Sequence, residues 1–243
     1  MRLSALVRGG VLAIGFASLA ACSGMTPRGD SLAAAVTTPS SSVPSNVFTV
    51  DQWSTVTARF AQEQTDPMAL CASDSDAAQC PAARWASLVA ELSQLPLRDR
   101  VERVNAAFNA LPYIPAAQNW GDPLYWETPY ELLAKGGQCE DYAIAKFLAL
   151  AQSGVPESAL RFVVVHDSVS QLDHAITLVT VDGDELVLDN QVDDVLPAAS
   201  VSRYTPYYSL NDSGIQVFAH PVVDRVAVQM ALRPDGGFTV ARY

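Results

Sequence analysis

The sequence has few basic residues and few histidines, and both shortages limit what the protein can do. Its 243 residues include 15 Lys and Arg against 26 Asp and Glu, which gives a formal net charge of −11. Such a chain repels the phosphates of nucleic acids, so nucleic-acid binding is excluded. Only three histidines are candidates for a general base near neutral pH: His166, His174 and His220. Hydrophobic residues make up 49% of the chain, which is enough for a folded core.

The N-terminal apolar run is too short to cross a membrane as a helix. It extends over residues 11–21, behind Arg2 and Arg8, whereas a spanning helix needs about 20 apolar residues. A basic start, an apolar middle and a small-residue end are typical of a secretory signal. We therefore interpret residues 1–21 as a signal peptide.

The end of this signal, Leu19-Ala20-Ala21-Cys22, resembles the lipobox of bacterial lipoproteins. The resemblance implies cleavage before Cys22 and lipidation of that cysteine; the alternative is a plain signal peptide with Cys22 incidental. Ser23 stands where an Asp would favour retention in the inner membrane, so we expect a periplasmic protein with a lipid anchor, favouring the outer membrane. Residues 22–46 are rich in Ser, Thr, Pro, Gly and Ala, which predicts a flexible tether. Residues 47–243 then form one domain.

Only four cysteines are present: Cys22, Cys71, Cys80 and Cys139. Export would place Cys71 and Cys80 in an oxidising compartment, and their spacing predicts a disulfide between them. Cys139 is left unpaired. It is either a buried structural thiol or a reactive one.

Hydrophobic periodicity predicts helices in the first part of the chain and strands in the second. The predicted helices cover 48–64, 81–94, 98–110 and 139–151, and an irregular stretch covers 111–130. The predicted strands cover 161–165, 175–181, 185–188, 215–218, 226–232 and 238–242. This order predicts an α+β fold with an antiparallel sheet.

Cys139 follows Gly136-Gly137-Gln138 at the predicted start of a helix. Amide dipoles at a helix start favour a thiolate and lower the pKa of a cysteine. Unpaired N–H groups at that place can also hold the oxyanion of an acyl-transfer intermediate. A nucleophile of this kind needs a base, and the base needs a group that orients it.

His174 and Asp189 are candidates for these two roles. His174 begins one predicted strand, Asp189 ends the next, and residues 181–184 between them have a hairpin-turn sequence. The two residues lie near the same end of the hairpin without being directly opposite, so the spacing supports the pair without proving it. Taken singly, Cys139 could be a packed thiol, His174 a polar surface residue and Asp189 a turn former.

The segment 136–146 closely resembles the signature of the bacterial transglutaminase-like cysteine peptidases. Further resemblances occur in the family's order, at Asn105 and Asn109 in one helix, at Trp126 with Pro129, at 172–175 and at 187–190. The resemblance implies a papain/transglutaminase-like α+β fold, with the nucleophile at a helix start packed on an antiparallel sheet. It assigns Cys139 as nucleophile, His174 as base and Asp189 as orienting acid.

For the oxyanion, the backbone N–H of Cys139 is one candidate donor, and Gln138, Trp120 or Trp126 could supply another. The resemblance also suggests a possible calcium site, because Glu140 and Asp141 match acidic positions of the family. Gln138, however, stands where a calcium-dependent branch carries Asp, which removes a carboxylate that calcium favours. We expect that no cofactor is required, and that Glu140 and Asp141 cap the helix and compensate its dipole.

The resulting hypothesis is an exported cysteine peptidase that cleaves a cell-surface or periplasmic protein. By analogy with adhesin-cleaving proteases of the family, a surface adhesin is the expected kind of substrate and an inhibitory membrane receptor an expected partner. Two alternatives stay open. One is acyl transfer of the transglutaminase or amidase type on the same three residues, and the other is a noncatalytic binding lipoprotein with this fold.

Overall fold

The computed structural model describes residues 31–36, 48–67, 69, 71, 80–211 and 214–218. The predicted signal peptide, Cys22, most of the predicted tether and the predicted strands at 226–232 and 238–242 lie outside these residues. Within the described part, no helix is long and apolar enough to cross a membrane.

Seven α-helices lie in the described part of the chain, and the four predicted ones are confirmed. The structure adds a short helix before them, a second within the stretch that was predicted to be irregular, and a third that begins at the end of that stretch. The helices are α1 (Leu32–Ala35), α2 (Phe48–Glu63), α3 (Pro81–Ser93), α4 (Leu97–Asn109), α5 (Ala116–Trp120), α6 (Pro129–Lys135) and α7 (Cys139–Gln152).

Six antiparallel strands follow the helices, in the spatial order β4-β3-β2-β1-β5-β6. They are β1 (Leu160–Asp167), β2 (Leu172–Val181), β3 (Asp184–Leu188), β4 (Leu196–Pro197), β5 (Tyr204–Asn211) and β6 (Gly214–Val217). The predicted α+β class is therefore confirmed. The four predicted strands that fall within the described residues are also present.

Helix α7 is the centre of the fold, and it is buried on all sides. Its residues from Asp141 to Phe147 are all buried, among them Ile144 and Ala145 at 0% exposure. The helix packs on β2, where the hydroxyl of Thr177 donates a hydrogen bond of 2.7 Å to the carbonyl of Ala143. A helix that is buried on all sides needs neighbours on every side. Helices α3, α4 and α6 cover the sides that the sheet leaves open.

The other face of the sheet is covered in part by α1, and here the tether prediction is wrong for residues 31–36. Leu32 and Val36 are 0% and 1% exposed, and they belong to a cluster with Val163, Ile176 and others. The N–H of Leu32 also donates to the carbonyl of Val201 at 2.7 Å. Burial of two apolar side chains one turn apart fixes this segment to the domain.

Cys71 and Cys80 are joined by a disulfide, as predicted. Cys80 is the residue that precedes α3, and Pro81 occupies the first position of that helix, where its missing N–H costs nothing. The bridge therefore ties the start of α3 to the segment that follows α2.

A tight turn between β2 and β3 sets the register that places Asp189. Asp182 and Gly183 have φ values of 53° and 92°, as the two central residues of a type I′ hairpin turn require. Thr177 consequently pairs with Leu188, and Asp189 directly follows β3.

Candidate active site

Two glycines precede α7 at positions where the backbone is closely packed against neighbouring atoms. Gly136 has a φ of 82°, and a Cβ atom there would lie 2.3 Å from the carbonyl oxygen of Pro112. At Gly137 a Cβ would lie 2.6 Å from Oδ2 of Asp141. Both contacts are too short for any side chain. Because only glycine fits, the backbone can turn and present Cys139 as the first residue of α7.

Asp141 holds the start of α7 in place. Its Oδ2 accepts the N–H of Gln138 at 2.8 Å, and its Oδ1 accepts the N–H of Glu127 at 2.7 Å. The carboxyl is fully buried, and burial together with the charge of Glu127 raises its pKa well above the usual range. Asp141 therefore has the capping role that the sequence offered as one reading.

The thiol of Cys139 lies between a carboxylate and the backbone of β2. Its Sγ is 3.1 Å from Oε2 of Glu140, and it accepts the N–H of Ala175, the residue after His174. Burial raises the pKa of the thiol well above its usual value, the Glu140 carboxylate raises it further, and the Ala175 N–H offsets only part of this. The expected lowering by the helix start is therefore outweighed, and the thiol is neutral in this arrangement.

His174 and Asp189 form a buried hydrogen-bonded pair. Nε2 of His174 lies 2.8 Å from Oδ1 of Asp189, and the two residues are 4% and 2% exposed. Burial alone would raise the pKa of Asp189, but hydrogen bonds from His174, the Tyr204 hydroxyl and the Gln191 N–H together hold it below its usual value. Asp189 is thus an ionised acceptor, which favours the proton of the imidazole on Nε2.

The other imidazole nitrogen of His174, Nδ1, is consequently the basic one. It lies 3.3 Å from Nε2 of Gln191. Neither Gln191 nor Tyr204 was among the predicted site residues. Tyr204 belongs to β5, which the sequence pattern did not indicate, and Gln191 is an exposed loop residue without a distinguishing motif.

The three side chains that are candidates for binding the oxyanion have different surroundings. They are Gln138, Trp120 and Trp126. Oε1 of Gln138 accepts the N–H of Ala116 at 3.1 Å, which leaves its amide NH2 as the donor. For the two tryptophans the role stays a prediction. The indole N–H of Trp120 donates to Oε1 of Glu127 at 2.6 Å. The ring of Trp126 is packed in the core, with its centroid 5.3 Å from that of Phe162.

Glu127 is a buried residue of this site that the sequence did not reveal. Its Oε1 also accepts the side-chain N–H of Asn119 at 2.8 Å, and Asn119 donates in turn to the carbonyl of Gly136 at 2.9 Å. Its Oε2 is buried and has no hydrogen-bond partner among the described residues. Burial raises the pKa of the carboxyl. Glu127 therefore fixes α5 beside the glycines that precede the cysteine.

The carboxylate oxygens around the start of α7 are largely engaged with protein groups in this arrangement. Each oxygen of Asp141 accepts a backbone N–H, and one oxygen of Glu140 is engaged with the thiol. Calcium takes six to eight oxygen ligands. Among the described residues, no group of three or more Asp, Glu, His or Cys side chains lies close enough together to hold a metal ion.

Tyr113 lies near the cysteine. The residue is 57% exposed, and its backbone bridges to that of Gly137. Partial burial and the neighbouring Cys139 and Glu140 raise the pKa of its hydroxyl to about 12. An exposed aromatic ring at this place is available for contact with a bound chain.

Comparison with solved structures places this geometry among known proteins. LapG of Legionella pneumophila has a similar structure, with 25% sequence identity and a TM-score of 0.53 over 67% of this chain and 87% of that one. An EGTA-treated form of LapG gives 25% identity and a TM-score of 0.54, over 68% of this chain and 86% of that one. A calcium-bound form gives 24% and 0.53, over 72% of this chain and 98% of that one. Among curated proteins, none matches the sequence.

A sequence model of one protein family matches residues 59–214, which is more than half of the chain. The family is described as the bacterial transglutaminase-like cysteine proteinases. Because its members are peptidases, a protein is the expected substrate. With its fold and its match to this family, the chain belongs to the bacterial transglutaminase-like cysteine proteinases and is a cysteine peptidase.

Proposed function

We propose that this peptidase cleaves an exported protein, with Cys139 as the nucleophile, His174 as the base and Asp189 as the acid that orients the base. The observation that carries the proposal is the position of the thiol. Sγ of Cys139 accepts the N–H of Ala175 directly beside the hydrogen-bonded pair of His174 and Asp189. A nucleophile, a base and a group that orients the base are the three parts that covalent acyl transfer needs.

In the proposed reaction, the neutral thiol loses its proton as the substrate binds. Asp189 keeps the imidazole proton on Nε2, so Nδ1 of His174 accepts the proton of Cys139. The sulfur attacks the scissile carbonyl carbon, and the carbonyl π electrons move to the oxygen. Collapse of this intermediate breaks the C–N bond, and the imidazolium protonates the leaving amine. Water then attacks the thioester, helped by the same base, and the thiol is released.

The oxyanion is held by the backbone N–H of Cys139 and the amide NH2 of Gln138. The first lies at the start of α7, where N–H groups have no partner within the helix. The second is oriented, because the N–H of Ala116 can only face the oxygen of the Gln138 amide. Donors that are fixed before the reaction stabilise developing charge without reorganising.

We propose that the enzyme works in the periplasm, lipid-anchored through Cys22, with the outer membrane favoured. The disulfide between Cys71 and Cys80 supports this, since disulfides persist in oxidising compartments. By analogy with the family, the substrate is a surface adhesin and an inhibitory membrane receptor is a regulator. LapG has been solved in a calcium-bound form, but the donor set around α7 leads us to propose that this chain needs no calcium.

The test uses the purified protein without residues 1–21, carrying Cys22→Ser, and envelope proteins of the bacterium that produces it. New protein N-termini are labelled and identified by mass spectrometry, and dansylcadaverine reports amine transfer. We expect cleavage that is lost in Cys139→Ala and His174→Ala but retained in His166→Ala. His166 is the matched control because it lies outside the pair, 3.4 Å from Asp173.

Each other outcome contradicts a defined part of the proposal. Cleavage by Cys139→Ala would show that another group is the nucleophile. Incorporation of dansylcadaverine without new N-termini would assign amine transfer instead of hydrolysis. A wild-type protein that gives neither product, and whose Cys139 stays unreactive to iodoacetamide until it unfolds, would be a noncatalytic binding protein.

A further inference from the structure

Helix α7 carries a fully buried lysine about two turns after Cys139. Lys146 is 0% exposed. Its Nζ donates to Oδ1 of Asn105 at 2.8 Å and to Oδ1 of Asn109 at 2.6 Å. Within the described part of the chain it makes no ion pair, so its bonded partners are two neutral amides from α4.

The lysine fixes which way both amides face. Nζ donates to both Oδ1 atoms, and it has the N–H donors for this in either protonation state, so both oxygens turn towards it and both NH2 groups turn away. The NH2 of Asn109 donates to the carbonyl of Asp189 at 2.9 Å. The NH2 of Asn105 donates to the carbonyl of Asp193 at 2.9 Å. The two asparagines therefore hold both ends of the loop 189–193.

This loop carries the groups that surround the imidazole. Asp189 accepts from His174, and Gln191 contributes its backbone N–H to Asp189 and its side chain to Nδ1 of His174. Lys146 is on the same helix as Cys139. A continuous set of hydrogen bonds thus runs from the nucleophile's helix, through α4, to the loop that orients the base.

Packing alone would favour an apolar side chain at this position. Burial lowers the pKa of Lys146 to about 7, and the charges of Asp189 and Asp193 offset only part of the effect. The ring of Tyr142 also lies near the amine, with its centroid 5.9 Å from Nζ. An apolar side chain at this position would avoid the cost of burying the amine but would leave both Oδ1 atoms without this donor. What the lysine supplies at this position is the orientation of the two amides.

We propose that Lys146 is a positioning residue: by orienting Asn105 and Asn109 it holds the loop 189–193, and with it the pair His174–Asp189, in register with Cys139. This inference rests on the proposed function, because it assumes that His174 acts on Cys139. It assigns Lys146 no contact with substrate. Its effect reaches the reacting atoms through the two asparagines.

The test is the rate of Cys139 alkylation by iodoacetamide between pH 6 and pH 10, together with thermal unfolding. We compare wild type, Lys146→Met, Asn109→Ala and the double variant. In Lys146→Met we expect alkylation at pH 7 to slow roughly tenfold, because a released loop no longer holds the base. The rate at the alkaline end, where the thiol ionises without help, stays unchanged.

The double variant shows whether Lys146 and Asn109 act in one network or affect the alkylation rate independently. If Lys146 acts through Asn109, the double variant is no slower than the worse single variant. A double variant slowed by the product of the two single effects would overturn the proposal, and so would a Lys146→Met profile identical to that of the wild type. Should Lys146→Met fail to fold, the half-buried Asn109→Ala carries the test, because it releases Asp189 directly and must slow alkylation at pH 7.

Two controls keep this inference distinct from the proposed function. Phe147→Leu removes buried contacts from the next residue of α7 without touching the network, so it lowers the unfolding temperature and leaves the pH profile in place. If His174→Ala leaves wild-type alkylation unchanged, the proposed base is wrong and the role of Lys146 fails with it. If His174→Ala slows alkylation and Lys146→Met does not, only the role of Lys146 is wrong.

Discussion

The carboxylate of Glu140 opposes ionisation of Cys139, so Glu140→Gln should make the thiol more reactive. The two groups are 3.1 Å apart, and a hydrogen bond to a charged group is worth about 1.5–3 kcal/mol. Glu140 is only half-buried, so solvent screening favours the lower end of this range. About 1.4 kcal/mol corresponds to a tenfold change in an ionisation equilibrium. Removing the charge lowers the pKa of the thiol and raises its thiolate fraction at pH 7 about tenfold.

A less basic thiolate is also a weaker nucleophile, with a Brønsted coefficient of about 0.4–0.5. The expected net result is an alkylation rate at pH 7 about three to four times that of the wild type. Stopped alkylation reactions followed by peptide mapping at Cys139 measure it. Glu102→Gln is the control, because this exposed carboxylate lies on α4 and pairs with Arg98. A rate at or below the wild-type value would refute the reasoning that Glu140 holds the thiol neutral.

Three further predictions concern stability and metal dependence. Replacing Cys71 and Cys80 by Ala should lower the free energy of unfolding by about 2–3 kcal/mol, measured in urea, without loss of peptidase activity. Arg203 holds the pKa of Asp167 below its usual value, so the stability it provides is present above about pH 4 and is lost as the pH falls further. In Asp167→Asn the urea midpoint should therefore change less with acidification. EGTA should leave the unfolding temperature unchanged, as thermal scans with and without the chelator would show.

Local sequence signals predicted the parts of the fold that depend on local chemistry. The glycines before Cys139 indicated a sharp entry into α7, and the structure shows that no side chain fits at either position. The Asp-Gly pair of the β2–β3 turn indicated the hairpin. The register that followed brought His174 and Asp189 within 2.8 Å although they are not directly opposite.

The missed elements had signals that were weak or were masked by their surroundings. Helix α6 has a capping box of Thr128 and Glu131 with a proline at its start, but these residues follow a stretch without periodicity. Strand β5 contains Pro206, which is unusual inside a sheet. The structure accommodates it where the register against β1 shifts between Val164 and Val165.

The electrostatic properties of the site depend on contacts that no local pattern contains. A helix start predicts a lowered cysteine pKa, but burial and Glu140 reverse the direction. The buried Glu127 and the network of Lys146 join residues that lie far apart in the chain. Such contacts follow from tertiary packing, so periodicity and spacing could not indicate them.

The docking of α1 on the sheet limits how far the peptidase can move from its anchor. If Cys22 carries the lipid, the chain reaches Ser31 after at most about 30 Å, instead of the roughly 80 Å that a free segment up to residue 46 would allow. The segment that would join Cys22 to the domain also meets it at α1, on the face of the sheet opposite α7. The active site would then stay within a thin layer next to the membrane. A substrate would have to bring its cleavage site into that layer.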